Sequence, residues 1–130
     1  MAYGPRVVLQ ESCAGAVERV RRALAEQDFR VLSVIELSEA VETELGLAMP
    51  TQFVLGVCRA TVAEAALRVE PSLGLLLPMP VVVRAEAPDV TVVEAANPMI
   101  LVAITGNPAL EPLVADSKAR LAAAFRSLQA

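Results

Sequence analysis

Histidine and tryptophan are absent from this chain of 130 residues, and its aromatic content is Tyr3, Phe29, Phe53 and Phe125. Without histidine the commonest general base, the commonest metal ligand and the Ser/His and Cys/His nucleophile systems are all missing. So few aromatics give no platform for stacking bases. The net charge of -4 and a sequence pI near 4.8 argue against the basic surface that a phosphate backbone selects for, so nucleic acid is excluded as a partner. No apolar run approaches the roughly 20 residues that span a bilayer. The longest, around Leu73 to Val83 and Met99 to Thr105, are short or cut by Pro78 and Pro80. The first residues, MAYGPRVVLQE, lack the charged start and apolar centre of a secretory signal. Two cysteines, Cys13 and Cys58, are too few for an extracellular disulfide framework, and the expectation is a cytoplasmic protein with reduced thiols. Zinc would need both of them, far apart in sequence, plus carboxylates, a poor match to known sites. The glycines stand singly, so no phosphate-cradling loop is present. Lys118 is the only lysine and sits among Asp116 and Arg120, where a solvated helix face explains it.

What is abundant is apolar side chain: 55% of residues, with a mean hydropathy of +0.55. A chain of this length buries roughly two-thirds of its unfolded surface in one domain, with no need of a disulfide or metal staple. The surplus of apolar residues is best placed in a subunit interface, and a homodimer is expected.

In chain order, Arg6 to Gln10 reads as a strand and Ser12 as the N-cap of a helix carrying Cys13, Val17, Val20 and Leu24 on one stripe. Glu18 and Arg22 form an i, i+4 pair on its solvated side. Phe29 to Leu37 alternates, with Phe29, Val31, Ser33, Ile35 and Leu37 on one face, and predicts a half-buried strand. Ser38 is placed to cap a short helix that brings Val41 and Leu45 to one side and ends at Gly46. Gln52 to Cys58 is a strand apolar on both faces. Thr61-Val62-Ala63-Glu64 matches a capping box for a helix ended by Pro71. Leu73 to Leu77 and Val81 to Ala85 read as one extended path broken by Pro78 and Pro80. Ala87-Pro88-Asp89 predicts a hairpin turn into Val90 to Ala96. Asn97-Pro98 and Asn107-Pro108 look like helix entries, and Met99 to Ile104 is a short helix or a strand. A final helix, regular from about Glu111, presents Leu110, Val114, Ser117, Leu121, Ala124, Phe125 and Leu128 along one face. Strands and helices do not alternate strictly, which points to α+β: an antiparallel or mixed sheet with helices packed on one face.

The strand end Gly56-Val57-Cys58, the run Gly74 to Pro78, then NPMILVAITGNP and the terminal amphipathic helix together resemble the bacterial family called domain of unknown function 302. The likeness covers nearly the whole chain. It implies a single α+β domain of the TATA-binding-protein-like type, with a β-α-β(4)-α core and commonly a homodimer. It implies little about activity, beyond relatives associated with sulfur oxidation or joined to electron-carrying domains. Many members resemble one another in Cys-Asn-Pro and Leu-Pro-Cys, where this chain has Cys58-Arg59-Ala60 and Leu77-Pro78-Met79. A thiol pair in the family would therefore be a thiol and a thioether here.

Cys58, Arg59, Pro78 and Met79 are the candidate ligand-binding residues, with Cys58 and Met79 as candidate metal ligands. Cys58 stands beside Arg59 and just before a helix start, surroundings in which reactive sulfurs are found. With Met79 it would make a soft site for Cu(I) or a haem iron, or Cys58 alone would carry a persulfide. The bland reading makes Cys58 a small buried hydrophobe and Met79 a gap-filler. Cys13, on the stripe of its helix, reads as core. No residue stands out as catalytic. The expectation is a homodimeric binding module for a small apolar or sulfur-containing ligand, with thiol redox, persulfide or soft-metal chemistry as the alternative.

Overall fold

In the computed structural model, which describes residues 3–129, the first strand β1 (Arg6–Leu9) leads into helix α1 (Cys13–Ala25). Ser12 is extended and its side chain accepts from the Gly15 amide, so the cap expected there is formed. The chain continues through β2 (Arg30–Glu36), α2 (Leu37–Leu45), β3 (Gln52–Cys58) and α3 (Ala60–Val69). A 3₁₀ turn, Pro71–Leu75, leads to β4 (Met79–Ala87), the two-residue turn at Pro88 and Asp89, and β5 (Val90–Ala95). It closes with α4 (Ile100–Thr105), a 3₁₀ turn at Pro108–Leu110 and α5 (Glu111–Gln129). The strands form one sheet in the order β1-β5-β4-β3-β2, every pairing antiparallel. This is the β-α-β(4)-α plan, with α2, α3 and α4 set into its connections.

Register decides which side chains meet. Val57, Leu55 and Phe53 on β3 oppose Met79, Val81 and Val83 on β4. Val81 and Val83 oppose Ala95 and Val93 on β5, and Val93 opposes Val7 on β1. That inner face meets Val17, Val20 and Leu24 of α1 and Leu121, Ala124, Phe125 and Leu128 of α5, making the larger core. The α1 and α5 stripes are where their sequence spacing put them. The opposite face carries Arg84 in 2.7 Å ion pairs with both Glu86 and Glu94.

Five local expectations are corrected. In β2 the alternation breaks: a bulge between Val31 and Ser33 leaves Val31 opposite Val57 but sets Ser33 and Ile35 opposite Gly56 and Val54, on the other face. Being an edge strand reached by few inner-face partners, β2 is mostly exposed rather than half-buried. Ser38 does not cap α2; its hydroxyl accepts from the Gln52 amide at 3.0 Å, and Glu36 occupies the cap position without a side-chain bond. The capping box at Thr61 is not made either. The chain turns straight from β3 into α3, the Arg59 carbonyl takes the first helical bond from the Ala63 amide at 2.8 Å, and Glu64 pairs with Arg68 one turn on. Leu73 to Leu77 is not extended: Pro71 starts a 3₁₀ turn that buries Leu73, and so short an apolar run carries no period to tell the two apart. Glu18 pairs loosely with Arg21, at 3.8 Å, and not with Arg22. Gly46 ends α2 in the left-handed region at φ 68°, as expected, and Gly106 ends α4 in the same way at φ 64°.

Candidate functional site

A second, smaller core lies where β3 ends and β4 begins, built from Ala66 of α3, Leu73 of the first 3₁₀ turn, Leu101 of α4, Leu110 of the second 3₁₀ turn and Val114 of α5. It does not fuse with the larger one. Between them is a cavity of about 60 Å³. Phe29, Val57, Val81 and Leu121 wall it from the sheet side, and Ala66, Leu73, Leu101 and Val114 from the other. Its walls are mainly apolar because each element meeting there contributes the inward stripe that would otherwise face water.

Arg59 is the one charged side chain in the cavity wall. It follows the last residue of β3 in extended conformation, so its side chain leaves the strand beside the first turn of α3 and reaches α5. There Nη1 donates to Asp116 Oδ2 at 2.8 Å and to Ser117 Oγ at 3.2 Å. The side chain is 9% exposed, whereas that of Asp116 is 56% exposed. Arg120 also bonds Asp116, at 3.1 Å, and reaches Asp28 at 2.9 Å. Arg120 first, then Arg59, holds the Asp116 carboxyl below the ordinary carboxylate range. The Arg59 Nε is buried and has no hydrogen-bond partner in the protein. An orphaned buried donor costs about 1–3 kcal/mol, and more on a charged group, so such a group calls for a partner.

The sequence-predicted residues divide three to one. Cys58, Arg59 and Met79 line the cavity, with Met79 the register partner of Val57 next to Cys58. Pro78 is not in the wall. Joined to Leu77 by a cis peptide, it lies over Gly56, where an added β-carbon would come within 2.9 Å of the Pro78 Cγ and 2.5 Å of the Ser33 Oγ. The two motif segments, Gly56-Val57-Cys58 and Gly74 to Pro78, therefore touch, and the glycine is what allows it. Among the described residues no three His, Cys, Asp or Glu side chains gather closely enough to hold a metal ion. Cys58 and Met79 share the cavity wall as soft donors. Ser117 and the apolar wall from α4 escaped sequence reasoning. The available signal was a serine at 117 on an otherwise apolar helix face.

Cys13 is core. Its thiol donates to the Val83 carbonyl at 3.3 Å, and burial, reinforced by the charge of Glu36, pushes its pKa up. Cys58 is only partly buried. Iodoacetamide on the native protein is expected to label Cys58 while Cys13 reacts only after unfolding, read by peptide mass. Equal labelling of both in the native state would contradict the burial of Cys13.

No helix among the described residues is long and apolar enough to cross a membrane. No curated protein matches the chain. The crystal structure of an uncharacterized conserved DUF302 protein from Bacillus stearothermophilus is similar, at 27% identity and a TM-score of 0.85, the match covering 97% of this chain and 98% of that one. The family model described as domain of unknown function DUF302 matches residues 6–128. On that near-complete match, and with the β-α-β(4)-α order and the Gly56 to Pro78 contact in place, the chain belongs to the DUF302 family.

Proposed function

We propose that this protein is a homodimeric binding module for a small, mainly apolar ligand, which enters the cavity between the two cores. The observation that carries this reading is the cavity itself, apolar on nearly every side and bordered by one buried cation with an unused donor. Apolar cavities take up apolar guests. The dimer rests on a different surface. Leu32, Ile35, Leu45 and Leu47 are each more than half exposed on the arm formed by β2, α2 and the link to β3. Exposed apolar side chains beside an unpaired strand edge suit a second copy of the chain, which would cover both at once.

Two measurements on one sample test both halves. Native mass spectrometry should read twice the chain mass of 13.7 kDa, reverting to one chain in the double variant Leu32→Glu, Ile35→Glu; a wild-type monomer sinks the dimer. Amide spectra under xenon pressure should shift at Ala66, Leu101 and Leu121, and unmoved cavity signals would sink the pocket. A second reading draws on the shared position of Cys58 and Met79 in the wall. A sulfur-sized increment that persists on denaturation and vanishes in Cys58→Ser would favour persulfide chemistry there.

A further inference from the structure

We propose that the ligand is a small aliphatic monocarboxylate, its carboxylate bonded by the Arg59 Nε–H and its alkyl part filling the apolar seam. The inference rests on the binding-module reading and adds the chemistry of the ligand's polar end. Arg59 is more than nine-tenths buried, Nη1 is committed to α5, and Nε is left without an acceptor. The Asp116 carboxylate that faces this guanidinium is over half exposed and divided between two arginines. The N-terminus of α3 adds to the same field. Helix α3 begins one residue after Arg59 with no side chain over its first-turn amides, and Val62 and Ala63 from that turn line the cavity.

The rest of the wall sets what an acceptor can be. A purely aliphatic guest would leave Nε orphaned. Phosphate or another dianion would bring a second charge against Val57, Leu73 and Leu101, with no second cation in the wall to meet it. A monoanion with an apolar tail satisfies both ends, and a carboxylate is the acceptor best matched to a guanidinium N–H. Size follows from volume. One water needs about 10–15 Å³ of such space, so 60 Å³ suits a guest of about four to six non-hydrogen atoms.

Butyrate is the probe, titrated into the full-length protein and followed by amide shifts, beside its neutral counterpart butyramide, inorganic phosphate and xenon. The expected result is saturable shifts at Arg59, Val62 and Ala63 with butyrate, at least tenfold weaker binding of butyramide, and none of phosphate. Arg59→Lys, which keeps a cation but has no Nε–H donor at that place, is expected to lose tenfold or more in butyrate affinity while still taking xenon. Should that variant fail to fold, the contrast between butyrate and butyramide on the wild type decides. Equal binding of the two, or butyrate shifts confined to other surfaces, overturns the carboxylate. Xenon without butyrate overturns it too and leaves the cavity reading standing. Neither guest binding overturns both.

Discussion

Replacing Phe125 by alanine is expected to lower unfolding free energy by about 3–5 kcal/mol, the range for removing a large buried aromatic side chain. Phe125 is 5% exposed and lies in the larger core, where α5 meets α1 and the inner face of the sheet. The loss has two parts. The ring forfeits its transfer out of water, and the space it leaves stays open because the strands behind it are held in register by β3, β4 and β5 pairing on both sides. A domain of this size has a stability on the order of 10 kcal/mol, so the variant should fold at room temperature with roughly a third to a half of that gone. Urea titration reads this as a lower midpoint at unchanged slope. Leu75→Ala, at a side chain 88% exposed, is the control and should stay within about 0.5 kcal/mol of wild type. A cost at Phe125 no larger than the control's would mean that α5 does not cover the sheet.

Gly56→Val is expected to cost about 2–3 kcal/mol, at the upper end for overpacking a filled site. Valine suits a strand better than glycine, which alone would stabilise. Sterics win because the first added carbon already lies 2.5 Å from the Ser33 Oγ and 2.9 Å from a Pro78 ring carbon. The two obstacles differ in how they yield. Ser33 is on the exposed edge strand and can rotate its hydroxyl, whereas the Pro78 ring is rigid. Gly56→Ala should therefore be milder, and adding Ser33→Ala should recover part of its loss, a coupling that thermal or urea denaturation of the double-variant cycle measures. Full additivity of the two changes would show that they do not touch. The same push on Pro78 moves Met79, the next residue and part of the cavity wall. Gly56→Val is thus expected to weaken xenon and butyrate binding as well as stability.

These two positions show how much the linear chain discloses. Phe125 was legible because a helix facing a sheet repeats its buried side chains every three or four residues, and the stripe from Leu110 to Leu128 keeps that period. The same holds for α1, and the hairpin at Pro88-Asp89 was legible from its turn residues. Gly56 and Pro78 were legible as motif segments, but not as a contact, because nothing in a strand's own spacing says what rests on its far face. Cys58, Arg59 and Met79 were singled out for their sulfurs and charge, and the antiparallel pairing of β3 with β4 brings them to one wall. Which atom of that wall lacks a partner was not readable at all.

By itself the sequence determined the amphipathic helices, whose periodicity is long enough to choose a face, and the antiparallel hairpin, whose turn residues mark it, and hence the α+β class. Tertiary structure decided wherever two partners compete for one group. Ser38 and Thr61 have good local capping positions, yet the Gln52 amide takes the hydroxyl of one, and the direct turn out of β3 bypasses the other. In β2 a bulge reversed the face of Ser33 and Ile35, because β3 pairing outweighs the alternation of an exposed edge strand. Arg59 reaches its hydrogen bonds on α5, 57 and 58 residues away. Local spacing specifies which way a side chain leaves the backbone; only the folded chain supplies, or withholds, the atom that it meets.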